Sequence, residues 1–195
     1  VASLQVARFD FEQRVDALIK EPPQLVDPFG EVGVPTFNLS YQEHNNRDLL
    51  AKLSDMYLAA CPSLEFVAPH CAGSPLLDAL APIRIGFVSR FFQSNSVGRC
   101  FQGVLRYPNR ADVEVTAFTF AAGQDPLWKA IEGDVANTVI LPAHLEAARQ
   151  RIAEEALDVL VYTDIGMDPL TYYLAYSRLP PLQCVLGGHP DATGL

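Results

Sequence analysis

The chain has 195 residues, 23 of them acidic and 14 basic, giving a formal net charge of −9 at neutral pH. Hydrophobic residues make up 49% and charged residues 19%, which excludes the low-hydrophobicity, high-charge class of disordered chains and leaves ample apolar surface for a folded core. The acidic balance argues against a nucleic-acid binder, which needs a Lys- and Arg-rich face to displace counterions, and apolar runs such as Val159 to Tyr162 fall far short of the roughly 20 residues that span a membrane.

Residues 1–80 read as a lead-in distinct from the rest of the chain, with many prolines, no run shaped like a core strand, and two helical patterns. Phe11, Val15, Leu18 and Ile19 mark one apolar face at helical spacing, and Glu21-Pro22-Pro23 breaks it. Residues 26–41 read as an extended, proline-punctuated connection. Asn45 or Asn46 then caps a second helix whose inward face is Leu49, Leu50, Leu53, Met56, Tyr57 and Ala60, with Cys61-Pro62 as its stop.

From about Pro82 the rhythm changes to short apolar strands separated by helical stretches, the pattern of a parallel sheet with crossover helices. Strands are expected over 83–88, 113–120, 138–141, 157–162 and 182–186, and a helix over 97–107. Pro142, at a first helical position, opens another helix with Leu145, Ala148, Ile152 and Ala156 inward. Asp168 caps a third, with Pro169 in its first turn, running to about Ser177. Right-handed crossovers place the strands in one doubly wound, mostly parallel, Rossmann-like α/β sheet over residues 82–195, behind the helical lead-in.

In such a sheet ligands bind beyond the carboxyl ends of the strands, so the loops that follow the strands carry the candidates. After the first strand comes Ser89-Arg90-Phe91-Phe92-Gln93-Ser94-Asn95-Ser96-Val97-Gly98-Arg99, opening a helix near Ser96. It is not G-x-G-x-x-G, which weakens the case for a dinucleotide oxidoreductase. Arg90 and Arg99 are candidates to hold an anion or carboxylate, the plainer alternative being ion pairs with the chain's many acids. Thr163-Asp164-Ile165-Gly166-Met167-Asp168 follows the fourth strand, and Asp164 is placed to accept a hydroxyl proton or orient a polar substrate, or else to bond turn amides. The fifth strand leads into Gly187-Gly188-His189-Pro190-Asp191-Ala192-Thr193-Gly194. Two glycines permit close backbone approach, and a helix beginning beyond Pro190 would aim free amides at a ligand; a plain glycine–proline turn is the alternative.

Cys61, Cys71, Cys100 and Cys184 lie in a chain rich enough in apolar residues to need no disulfide staples. They are read as reduced, small buried hydrophobes in a cytoplasmic protein. With no C-x2-C pair, no metal site is expected. Val1 in place of a methionine and an ending on Thr193-Gly194-Leu195 read as a fragment.

Several of these segments carry a resemblance. Phe37-Asn38-Leu39-Ser40-Tyr41, Asn46-Arg47-Asp48-Leu49 and Phe66-Val67-Ala68-Pro69-His70-Cys71 are followed by Ile83-Arg84-Ile85-Gly86-Phe87-Val88-Ser89-Arg90-Phe91-Phe92. Then come Tyr162-Thr163-Asp164-Ile165-Gly166-Met167-Asp168, Arg178-Leu179-Pro180-Pro181-Leu182-Gln183, and Gly188-His189-Pro190 with Thr193-Gly194. In order and spacing the series resembles bacterial relatives of the O-linked N-acetylglucosamine transferases (glycosyltransferase family 41). The resemblance implies the first lobe of a two-lobed GT-B enzyme that transfers a sugar from a UDP-sugar to a protein acceptor, without a metal or other cofactor. It also implies that a second lobe, not in this chain, supplies most nucleotide contacts, so that the chain alone is inactive. By position Gly187, Gly188 and Pro190, with His189 between them, resemble the loop against the donor sugar. Many relatives carry a histidine at the acceptor side in a pattern like R-F-F-x-x-H-S-V-G-R; here that position is Asn95, and an amide cannot take up a proton as an imidazole can. A non-catalytic binding relative therefore stands as the alternative, with a flavodoxin-type ligand-binding domain as the alternative at fold level.

Overall fold

The computed structural model describes residues 2–33, 36–73, 81–121, 123–189 and 191–195. The lead-in opens with α1 (Ala2–Lys20), which stops where Pro22 and Pro23 remove the backbone donors a further turn needs. Its main neighbour is α3 (Arg47–Ala60). Val15 is buried and Phe11 half-buried, but Leu18 and Ile19, expected on the same inward face, are exposed, since one neighbouring helix covers only a narrow stripe.

The connection expected to be extended contains a short helix, α2 (Pro28–Glu31), and a 3-10 turn at Phe37–Tyr41. Glu31 produces the first by reaching back to accept the amides of Val26 at 3.0 Å and Asp27 at 2.7 Å. In α3 all six expected inward residues are buried. Asn46 stands at its cap position, yet its side chain bonds the Leu39 carbonyl at 3.0 Å and Arg8 at 2.7 Å, and it is Asn45 whose Oδ1 accepts the amide of Arg47, the first residue of the helix, at 3.0 Å.

Five parallel strands follow: β1 (Ile83–Val88), β2 (Val113–Thr119), β3 (Asn137–Ile140), β4 (Val159–Tyr162) and β5 (Leu182–Val185), in the spatial order β3-β2-β1-β4-β5. That is the strand order of a Rossmann half; a flavodoxin-type sheet orders its strands differently, which removes the fold-level alternative. Alternation along the strands splits the core in two. Phe87, Val115, Ala117 and Val161 face α4 (Ser96–Arg106) and α5 (Pro126–Asp134) through Phe101, Leu105, Trp128 and Ile131. On the other face Val88, Phe118, Leu160 and Tyr162 meet α6 (Leu145–Glu154), α7 (Pro169–Leu174) and α3 in a second, larger cluster.

The lead-in thus shares a core with the sheet. Val67 forms a parallel bridge to Arg178, and Ser177 donates to the Leu64 carbonyl at 3.1 Å. Arg149, almost fully buried on α6, donates to the Ser63 carbonyl at 2.5 Å and lies over the Phe66 ring at 5.2 Å.

Three helix expectations are corrected. Pro142 does not open α6: the Leu141 amide still bonds the Thr119 carbonyl at 2.7 Å, so the chain remains in the ladder there, and the helix begins at Leu145. Ala156, expected inward on that helix, lies beyond it with φ 47°, where the chain reverses toward β4. α7 ends at Leu174, short of Ser177. Cys61 and Cys71 are buried as expected, but Cys100 and Cys184 are exposed because they sit on the outer faces of α4 and β5. Among the described residues no helix is long and apolar enough to cross a membrane, and no cluster of His, Cys, Asp or Glu is fit for a metal ion.

Candidate functional site

After β1 the chain runs to α4 on one face of the sheet, and after β4 it runs to α7 on the other. The two loops therefore part at the carboxyl ends of adjacent strands and open the crevice where doubly wound sheets hold ligands. A smaller cavity of about 140 Å³ at the amino ends of the strands, beside Pro82, Arg106 and Val113, lies away from this crevice.

Asp164 sits at the floor of the crevice and is fully buried. Its Oδ2 accepts the Arg90 amide at 2.9 Å and the Ser89 hydroxyl at 3.2 Å, stapling the two loops together. Oδ1 has no well-formed hydrogen bond among the described residues, the nearby Thr171 hydroxyl donating to the Asp168 carbonyl at 3.1 Å. Burial raises the carboxyl to about 6, with the Asp168 charge adding to the rise, while the Arg90 amide and the Thr171 and Ser89 hydroxyls pull it down. Asp164 therefore shapes the crevice from beneath.

Asp168 caps α7 as expected, its Oδ1 accepting the amides of Leu170 at 3.0 Å and Thr171 at 3.1 Å. Its Oδ2 pairs with Arg90 Nε at 2.5 Å, and the Arg90 guanidinium lies over Phe120 at 5.4 Å. Arg90 is thus engaged by the protein, and the plainer reading of that residue holds. Arg99, in the first turn of α4, is exposed and makes no ion pair among the described residues, so it is the arginine of this loop available to an anion. Asn95 is the α4 cap: its Oδ1 accepts the Gly98 amide at 3.0 Å.

The loop after β5 crosses above these groups. Gly187 packs on Phe101 of α4, and Gly188 lies against the Thr163 carbonyl so closely that a Cβ there would overlap its oxygen. His189, 5% exposed, turns inward, stacking on Phe37 with ring centroids 4.5 Å apart and placing Nε2 3.2 Å from the Phe37 carbonyl oxygen. Pro190 lies outside the described residues. The helix expected beyond it is absent from 191–195. The Asp191 carboxylate takes the Ala192 amide, Ser54 donates to the Thr193 carbonyl, and Gly194 lies against the Leu50 carbonyl, so α3 holds this segment extended. Below it Tyr176 accepts or donates to Ser54 at 3.3 Å and donates to Tyr172 at 3.1 Å, and burial pushes its phenol up to about 12.

The structure thus joins Arg90, Asp164, Gly187 and Gly188 in one crevice, with Asn95 and Arg99 at the α4 amino end and His189 pointed away. Two cavities flank the loop, one of about 480 Å³ beside Val185, Gly187 and Gly188, the other of about 650 Å³ between the amino end of α3 and residues 191–195. Sequence reasoning missed Asp191, which lines both. A lone carboxylate after Gly-Gly-His-Pro was its only signal.

No family model and no curated protein matches the chain. Among solved structures it is similar to the O-GlcNAc transferase of Thermobaculum terrenum, a point mutant, with a TM-score of 0.65 and 18% sequence identity. The match covers 80% of this chain and 30% of that one, so this chain spans under a third of the neighbour's length. The likeness establishes a Rossmann-type α/β fold.

Proposed function

We propose that this chain is one lobe of a GT-B glycosyltransferase that transfers a sugar from a UDP-sugar to protein hydroxyls, its cleft completed by a second lobe. The likeness of four-fifths of the chain to an O-GlcNAc transferase carries the reading. The polar crevice at the β1–β4 switch point supports it, because sugar nucleotides need fixed polar groups and close backbone approach there. On this reading Arg99 faces the anionic part of the ligand and Gly187 and Gly188 form the wall against the donor sugar. Asp164 and Arg90 fix the two loops, and His189 positions the glycine loop through Phe37. Transfer proceeds without a metal or cofactor, and the free cysteines fit a cytoplasmic protein.

The test is UDP-N-acetylglucosamine added to the full-length protein. The expected result is a rise in melting temperature and labelling of a protein acceptor, unchanged by EDTA, with the present chain alone binding weakly and transferring nothing. No shift with UDP or its sugar, together with no labelling, overturns the reading.

The capping role of Asn95 favours a second reading, a non-catalytic relative that keeps the cleft as a binding surface. Asn95→His removes the cap and is expected to cost about 1 kcal/mol in thermal denaturation. If full-length Asn95→His gains transfer many-fold over wild type, the binding-only reading fails; if ligands bind equally and neither protein transfers, that reading stands.

A further inference from the structure

We propose that Asp191 is the hydroxyl-binding carboxylate of the cleft and that the ligand it meets there is a sugar ring. The inference rests on the glycosyltransferase reading and deepens it by naming the residue that recognises the sugar end of the ligand. Asp191 is 9% exposed. Oδ1 accepts the adjacent Ala192 amide at 2.9 Å, while Oδ2 has no hydrogen-bond partner among the described residues. A buried acceptor left without a donor carries a free-energy penalty that a bound hydroxyl removes.

Asp191, its Oδ2 enclosed beside Gly166, borders the space a ligand would take. Asp191 is the residue common to the cavities of about 480 and 650 Å³, the first walled by Gly187 and Gly188 and the second by Asn45, Asn46 and Arg47. Each is large enough for a small-molecule ligand. Gly166, on the turn after β4, leaves the space that Oδ2 occupies: a Cβ there would stand 2.5 Å from that oxygen and 2.9 Å from Cδ2 of His189. Arg47 lines the second cavity, and Asp191 makes no ion pair with it or with another cation among the described residues. An unneutralised carboxylate repels phosphate and accepts hydroxyl protons through charge-assisted bonds. A sugar offers adjacent hydroxyls, which assigns Asp191 to the sugar and Arg99 to the anionic part of the ligand.

Asp191→Asn keeps the acceptor for the Ala192 amide and turns the free oxygen into a donor, so it isolates the proposed interaction. Saturation-transfer NMR on the full-length chain with free N-acetylglucosamine, and thermal shift with UDP, are read in parallel. The expected result is a sugar signal in wild type that falls tenfold or more in Asp191→Asn and Asp191→Ala, with UDP binding and circular dichroism retained. Equal sugar signals in wild type and variants, or none in wild type, overturn the proposal whatever UDP does. If only wild type binds the sugar and none of the proteins binds UDP, the role of Asp191 is upheld and the sugar-nucleotide reading falls. An equal drop in sugar and UDP binding overturns the proposal, since Asp191 would then support the cleft as a whole.

Discussion

Gly188→Ala should lower the melting temperature of the chain by about 5–15 °C. Gly188 has φ 73°, which an L side chain enters at about 1 kcal/mol. A Cβ would also overlap the Thr163 carbonyl oxygen and stand 2.9 Å from its carbon, backbone that is itself anchored at the end of β4. Overpacking against a fixed neighbour adds about 1–3 kcal/mol, for a total of about 2–4 kcal/mol. Gly33→Ala is the control, since Gly33 has a similar φ of 81° and no atom of the described residues within 4 Å of its Cβ position. It should lose only the conformational part. Equal losses at the two positions would show that the glycine loop does not lie on Thr163. The same substitution should weaken ligand binding in the full-length protein, because the loop must lift to make room.

The second large effect is electrostatic. Asp164 titrates near 6 in the folded chain against an ordinary value of 3.8, so the folded state holds this proton more tightly than the unfolded state. The stability gained from the neutral carboxyl is fully present below pH 4 and is lost as pH rises through 6. At neutral pH the ionised form costs about 3 kcal/mol, from about 1.4 kcal/mol per tenfold change in proton affinity. Asp164→Asn removes that dependence while an amide oxygen still accepts the Arg90 amide and the Ser89 hydroxyl. Denaturant unfolding should find the variant more stable than wild type by about 1–3 kcal/mol at pH 7.5, with no advantage at pH 4. A variant weaker by the same amount at both pH values would show that its hydrogen bonds, rather than its burial, set the energy at this site.

Both effects arise where the sequence was partly legible. The alternation of apolar runs marked all five strands within two residues at each end, and the Ser96 opening of α4 and the Asp168-Pro169 start of α7 were readable because capping chemistry is local. Pro142 misled for the same reason: local preference favours proline at a first helical turn, but β3 pairing continued through Leu141 and delayed the helix. Asp164 and the two glycines were visible as loop residues after strands. Their partners were not, since Arg90 and Asp164 are 74 residues apart and His189 and Phe37 are 152 apart.

Composition and periodicity by themselves determined that this acidic chain folds as an α/β protein with a parallel sheet behind a helical lead-in, since both depend on short-range patterns of burial. The strand order, the shared core of lead-in and sheet, and the inward turn of His189 were decided only by tertiary packing. So were the engagement of Arg90 by Asp168 and the unpartnered oxygen of Asp191. The physical reason is that a side chain's freedom to meet a ligand depends on which distant groups already satisfy it, and those groups are brought within hydrogen-bond range only when the sheet and its helices close around them.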